Sequence, residues 1–541
     1  MTHRPSYILF ITDQQRYDHL GCNGHPVLRT PNIDAMATEG VSHDRFYVAS
    51  PVCMPNRASL MTGRMPSVHG LRHNGCLLSE RANTFVDVLA AGGYATASFG
   101  KSHLQPFTDS PPLRKEDHVE RLVPEAWKSD TGKYTKEEPA SFDKPSDAPF
   151  ETPYYGFQHV EMATSHGDQC GGQYGQWFRE TVPNWQELHD PANELAHDYT
   201  CPQAYRTPIP EDKYPTAWVA DKAISYLEER KAGGDPFFAF VSFPDPHHPF
   251  NPPGKYWDMY DPNDFDVDLP YDAHQNPTPP MQHETKMWET GEEPAIPQFA
   301  FRASDQHVRE AKALTAGMIT MIDDHIGRVI DALKASGEYD NTVIIFTSDQ
   351  GFAWGQHGSQ EKWMPYDANI CAPLIFSAPG LIKPGTVCKE AVNGVDITST
   401  IHSLAGIEPE WKMHGRDLMG LLTSPDGKLK EPMLMINTIY KYGDRVVEAL
   451  KAKDYDAFKR RDLYAWMMMR DGKYKYIRHF KDDVIEELYD LEKDPDELNN
   501  LAVNAGYADK LIELRGKAVE EFRNKDGDFV DHLPEPKEAS R

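Results

Sequence analysis

Cys53 and Arg57 lie four residues apart in SPVCMPNRASLMTG, residues 50–63, a spacing that can build an anion site. Pro55 suits the first turn of a helix, where its missing N–H costs nothing, and Gly63 suits the stop. Cys53 is therefore expected at a helix N-terminus, where the dipole and free N–H groups favour anions. Arg57, one turn further on, would face the same space. A lone cysteine is more often a small buried hydrophobe, so the surrounding groups decide its meaning.

Those groups sit where short apolar runs give out. YILFIT ends in Asp13-Gln14, YATASFG in Lys101-Ser102-His103, FFAFVSF in PDPHHPF, and TVIIFTS in Asp349-Gln350. The carboxylates and amide oxygens of Asp13, Gln14, Asp349 and Gln350 suit calcium, magnesium or manganese better than a sulfur-preferring ion. A single such pair would equally serve ordinary turn hydrogen bonding. Lys101, and Lys362 in HGSQEK, can neutralise a bound anion, while His103 and His247 or His248 can donate hydrogen bonds or protons.

Each cluster follows the C-terminal end of an expected strand, the edge where open α/β sheets bind ligands. If those strands are parallel neighbours, all four clusters meet in one crevice. The runs at 7–11, 94–99, 237–243, 342–346 and 373–379 read as strands. Helical patterns lie between them at 30–40, 82–93, 216–231 and 303–336. This alternation is that of an α/β sheet. Two Pro-rich polar segments, near 105–213 and 249–300, interrupt it as insertions or lids. After residue 424 the texture changes to a hairpin at 465–480, turning near Asp471-Gly472, and an amphipathic helix near 507–524. The tail from Asp528 is expected either to pack on a neighbour or to be disordered.

Composition narrows the partners. A net charge of -27 over 541 residues argues against nucleic acid and anionic membranes. No apolar run approaches the ~20 residues of a membrane span. Seven scattered cysteines do not form a disulfide framework. The N-terminal run lacks the longer apolar core and cleavage site of a signal peptide. A cytoplasmic location is expected.

The full pattern C-x-P-x-R-x-x-x-x-T-G resembles the signature of the sulfatase family, within the alkaline phosphatase superfamily. Five fixed positions at roughly 5% usage each arise by chance about once in several thousand chains of this length. KYKYIRH and ELYDLEKDPDELNNLA resemble the family's C-terminal subdomain. The resemblance implies an alkaline-phosphatase-like α/β fold: a large mixed, mainly parallel sheet flanked by helices over residues 1–424. A smaller α+β domain with an antiparallel sheet would occupy 425–541.

It also implies that a maturating enzyme oxidises Cys53 to formylglycine. One oxygen of the formylglycine hydrate attacks sulfur, and the other later expels sulfate. One divalent cation would be held by Asp13, Gln14, residue 53, Asp349 and Gln350, with Arg57 stabilising the hydrate. Lys101, His103, His247 and Lys362 fall on substrate-contacting and proton-transfer positions. PHHPF resembles the family's P-H-x-P-F, which selects His247, while His357 in GQHG receives no direct role. Gln14 stands where a second aspartate is usual and Gln350 where asparagine or histidine is usual, which leaves the metal's identity open.

The expected reaction is hydrolysis of a small sulfate monoester, aryl, alkyl or carbohydrate, with an aryl sulfate as test compound, and the resemblance implies a dimer or tetramer. The nearest rival is a phosphonate monoester or phosphodiester hydrolase of the same superfamily, which shares the formylglycine and the Asp-Gln pair. Those relatives carry uncharged hydroxyl-bearing residues where this chain has G-K-S-H. A further rival is an inactive relative that only binds anions or partners.

Overall fold

Strand β1 (Ser6–Thr12) turns its side chains alternately into two cores: Tyr7, Leu9 and Ile11 into one, Ile8 and Phe10 into the other. All of its residues are buried. A strand covered on both faces must read as a continuous apolar run. The computed structural model describes residues 4–108, 128–129, 131–145, 149–230, 233–292, 302–360, 362–409, 411–438, 465–481 and 484–537. Parts of both Pro-rich segments, 109–127, 130, 146–148 and 293–300, lie outside these.

The remaining strands are β2 (Gly40–His43), β3 (Phe46–Tyr47), β4 (Ala95–Gly100), β5 (His159–Thr164), β6 (Phe237–Ser242) and β7 (Thr342–Ser348). They continue with β8 (Leu374–Ser377), β9 (Thr386–Cys388), β10 (Val392–Asn393), β11 (Met433–Asn437), β12 (Trp466–Asp471), β13 (Tyr474–His479) and β14 (Glu487–Asp490). Eight form one sheet in the order β5-β4-β6-β1-β7-β8-β2-β9. Within it β4, β6, β1 and β7 are consecutive and parallel. Only β8 runs against its neighbours. Its connection from β7, residues 349–373, carries the short helix Asp367–Ile370.

Helices Pro31–Glu39, Pro215–Glu229 and Asp305–Ala335 contribute to the Ile8/Phe10 core. Helices Cys53–Thr62, Phe85–Ala91 and Gly394–Ala405 contribute to the other. That second core continues into an antiparallel sheet, β11-β12-β13-β14. Its β12–β13 turn places Gly472 at φ 58°, a conformation that favours glycine. The start of the tail folds back onto its own chain, with Phe529 against Phe480 and Phe522. Among the described residues no helix is long and apolar enough to cross a membrane.

Gly100 closes β4 at φ 94°, and a Cβ there would overlap the Ser242 carbonyl of β6. This close approach lets the Lys101 N–H donate to Ser242 O at 3.1 Å. Gly100→Ala should therefore cost about 2–4 kcal/mol by strain and overlap. Denaturant unfolding checks this, and a parental midpoint with an unchanged slope would contradict the close approach.

Candidate functional site

Pairing of β1 with β7 sets Thr12 beside Ser348, so the next residues of each strand, Asp13 and Asp349, emerge side by side. Backbone bonds continue past the strand ends and keep the clusters in register. The Asp13 N–H donates to Asp245 O at 2.9 Å, and the Asp349 N–H to Thr12 O at 3.1 Å. Gln14 turns the chain at φ 66° and donates its N–H to Asp349 Oδ1 at 3.0 Å.

The helix Cys53–Thr62 aims its N-terminus at this pair and stops at left-handed Gly63. Cys53 Sγ lies 3.8 Å from Asp13 Oδ1, 3.9 Å from Lys362 Nζ and 3.3 Å from Gln350 Nε2. Arg57 is fully buried and works as a clamp. It donates from Nε to Asp349 Oδ2, and from Nη1 to Lys101 O and Ser242 Oγ, each at 2.8 Å. Asn56 fixes the same turn, donating to Asp349 O at 2.7 Å and accepting from the Ala49 N–H at 2.8 Å.

Lys101 pairs with Asp13, and its Nζ lies 2.6 Å from His166 Nε2. Lys362 donates to Gln14 Oε1 at 2.9 Å and lies 3.1 Å from His247 Nε2. Nine of the ten expected residues are thus linked by direct contacts. The tenth, His103, joins through Phe107, whose ring stacks on it at 4.0 Å and lies 5.6 Å from Lys101 Nζ. His357 lies apart, paired with His274 at 3.0 Å. A separate 370 Å³ cavity, lined in part by Arg16, Asp44, Arg470 and Glu497, includes none of the ten.

Ligand atoms of Asp13, Cys53 and Asp349 all lie within 4.8 Å of one another. The Gln350 amide reaches the same group through Nε2 on Cys53 Sγ, and its Oε1 is buried without a hydrogen-bond donor. An orphaned acceptor beside two carboxylates fits a hard cation. Asp13, His166 and His247 form a second compact group, but the Lys101 ammonium already fills the space between Asp13 and His166.

Electrostatics follow from burial. Desolvation opposes the Asp13 carboxylate, yet Lys101, His247, Arg57 and Lys362 outweigh it and hold Asp13 well below the usual range. Burial and then Asp13 push Asp349 upward against Arg57. Burial and Asp13 also push the Cys53 thiol up despite Lys362 and Lys101. Burial lowers His103, His166 and His247, and neighbouring cations reinforce it.

Sequence reasoning passed over His166, which stacks on His247 with ring centroids 3.6 Å apart. It follows β5, inside the segment 105–213. The available signal was of the same kind as at the other clusters: polar SHGD after the strand HVEMAT.

Compared with known proteins, residues 5–407 match the sulfatase family and residues 355–525 match the N-sulphoglucosamine sulphohydrolase C-terminal family. An arylsulfatase of Clostridium perfringens is 27% identical, covering 98% of this chain and 96% of its own. An N-acetylglucosamine-6-O-sulfatase of Bacteroides thetaiotaomicron is 25% identical, covering 99% of this chain and 89% of that protein. The solved phosphonate monoester hydrolase of Agrobacterium radiobacter is similar at TM-score 0.74 and 25% identity, over 96% of both chains.

Removing Arg57 would strand the buried Asp349 carboxylate and take one cation from beside Asp13. Arg57→Ala should cost about 3–5 kcal/mol of stability. Arg57→Lys should recover only part of this, because an ammonium lacks the planar fork that reaches Asp349, Lys101 O and Ser242 together. Denaturant titration of metal-free protein separates the cases; equal stability of parent and Arg57→Lys would refute the clamp.

Proposed function

The chain belongs to the sulfatase family, matched over residues 5–407, and on that footing we propose that it hydrolyses sulfate monoesters with residue 53 as nucleophile. The observation that carries this reading is the ring of buried Arg57, Lys101 and Lys362 around Cys53 in a chain of net charge -27. An acidic protein must build an anion site locally, and this one has done so beside a sulfur atom at a helix N-terminus.

Cys53 would be oxidised by a maturating enzyme to formylglycine, whose hydrate supplies one oxygen to attack sulfur and a second to expel sulfate. The raised thiol weighs against thiolate chemistry, which needs a depressed one. Asp13, Asp349 and the amide oxygens of Gln14 and Gln350, with residue 53, would hold one divalent cation, which when bound contributes Lewis-acid charge. Arg57 keeps both carboxylates in place for it. Lys101 and Lys362 face the anionic oxygens of the ester.

His247 serves the leaving group. Its Nδ1 lies 2.7 Å from His248 O, which fixes the proton there and leaves Nε2 facing Lys362. Protonated at Nε2, His247 would deliver that proton to the departing oxygen, while Lys362 keeps its charge against the ester. The substrate is a small sulfate ester, with an aryl sulfate as test compound because a phenolate leaves easily.

A second reading rests on the likeness to a phosphonate monoester hydrolase. Cys53, Asp13 and Asp349 serve both chemistries, whereas Lys101 and His103 favour the several anionic oxygens of a sulfate monoester. Asp13→Ala and Asp349→Ala should each abolish turnover of both kinds of ester while the protein stays folded; full activity in either would misplace the centre. Lys101→Ala and His103→Ala should each depress kcat/KM for an aryl sulfate at least about tenfold more than for a phosphodiester, a difference of about 1.4 kcal/mol. Equal losses, or a parent that prefers the diester, would favour the second reading.

A further inference from the structure

Glu137 is a buried carboxylate that contacts neither the nucleophile nor the cation ligands. Its Oε2 accepts the His103 N–H at 2.9 Å, and its Oε1 accepts those of Leu104 at 2.8 Å and Gln105 at 3.0 Å. The Tyr154 hydroxyl also donates to Oε1. Three successive backbone N–H groups therefore converge on one carboxylate, an arrangement that binds anions. No lysine or arginine pairs with Glu137 among the described residues; burial pushes its carboxyl up, and these N–H groups and the hydroxyl oppose that.

The geometry has a local consequence. His103 sits at φ 57°, in the left-handed region that non-glycine residues seldom adopt. Such a conformation persists only where surrounding contacts over-determine it. Here the contacts are Glu137 and a second staple: Gln105 accepts the Lys136 N–H at 3.0 Å and donates to Lys133 O at 3.3 Å. The turn presses the His103 ring against Phe107 and leaves Nδ1 buried without a partner. A buried, unpartnered imidazole nitrogen two residues from Lys101 is a group held ready for a ligand oxygen.

We propose that Glu137 is a positioning residue for sulfate-ester hydrolysis: its carboxylate holds the His103–Gln105 backbone in the left-handed turn that presents His103 to the substrate. This rests on the reading of His103 given above. The stretch 131–145, remote in sequence from every residue of the centre, then contributes to the reaction by shaping one backbone turn. Glu137→Gln would replace an acceptor-only group with an amide whose NH2 opposes the converging N–H groups. Glu137→Asp keeps the charge on a shorter stem.

The test is a double-mutant cycle of Glu137→Gln with His103→Ala, read as kcat and KM on an aryl sulfate and a phosphodiester, with unfolding midpoints alongside. A purely structural role would lower stability and both activities together. The proposal expects Glu137→Gln to lower aryl sulfate kcat about tenfold or more with little change in KM, and to lower the diester reaction less. In the His103→Ala background the same substitution should change aryl sulfate hydrolysis less than about twofold, the non-additivity of residues acting through one contact. Glu137→Asp should recover part of the loss, and its cycle with His103→Ala carries the test if Glu137→Gln does not fold. Additive losses, or equal losses on both esters, would overturn the proposal while leaving the site reading intact. Parental activity in His103→Ala would instead remove the reading of His103 and the proposal with it.

Discussion

Two carboxylates buried side by side at the ends of adjacent parallel strands set the terms for everything around them. Asp13 and Asp349 are placed there by the β1–β7 register, and neither can stay charged when so buried without compensation. Arg57 bonds Asp349, Lys101 pairs with Asp13, and Lys362 sits over Gln14. These three cations come from a helix, a strand end and a loop. The sheet order β4-β6-β1-β7 brings those elements within reach of one another. On the function proposed above, the same compensation would also serve a cation and an anion bound against it.

Much of this centre was legible in the sequence, for a definite reason. Strands buried on both faces read as unbroken apolar runs, so the polar residues that end them stand out. Asp13-Gln14, Lys101-His103, His247 and Asp349-Gln350 were located that way, and the Cys53 helix by its proline and terminal glycine. The antiparallel course of β8 was not readable, because PLIFSAP looks the same in either direction and only its connection decides. His166 follows β5, an edge strand whose HVEMAT mixes exposed and buried positions and lacks the apolar run that marked the others. Glu137 has no local signal at all. Its partners are backbone N–H groups over thirty residues away, and any acid in a polar loop reads alike.

The departures at Gln14 and Gln350 fit the charge arrangement. Neither adds a negative charge, so two buried carboxylates face three buried ammonium or guanidinium groups. The imidazoles of His103, His166 and His247 line this space, where burial lowers each of them. That division of labour separates groups that hold charge from groups that hydrogen-bond or move a proton.

The central claim is that residue 53 reacts through oxygen and that its thiol has been replaced. The most direct measurement is the mass of the peptide containing residue 53, taken from active protein made in its native host, alongside turnover of an aryl sulfate. The account predicts formylglycine at residue 53, with turnover proportional to the modified fraction across preparations. Fully active protein carrying only the free cysteine thiol at this position would contradict it.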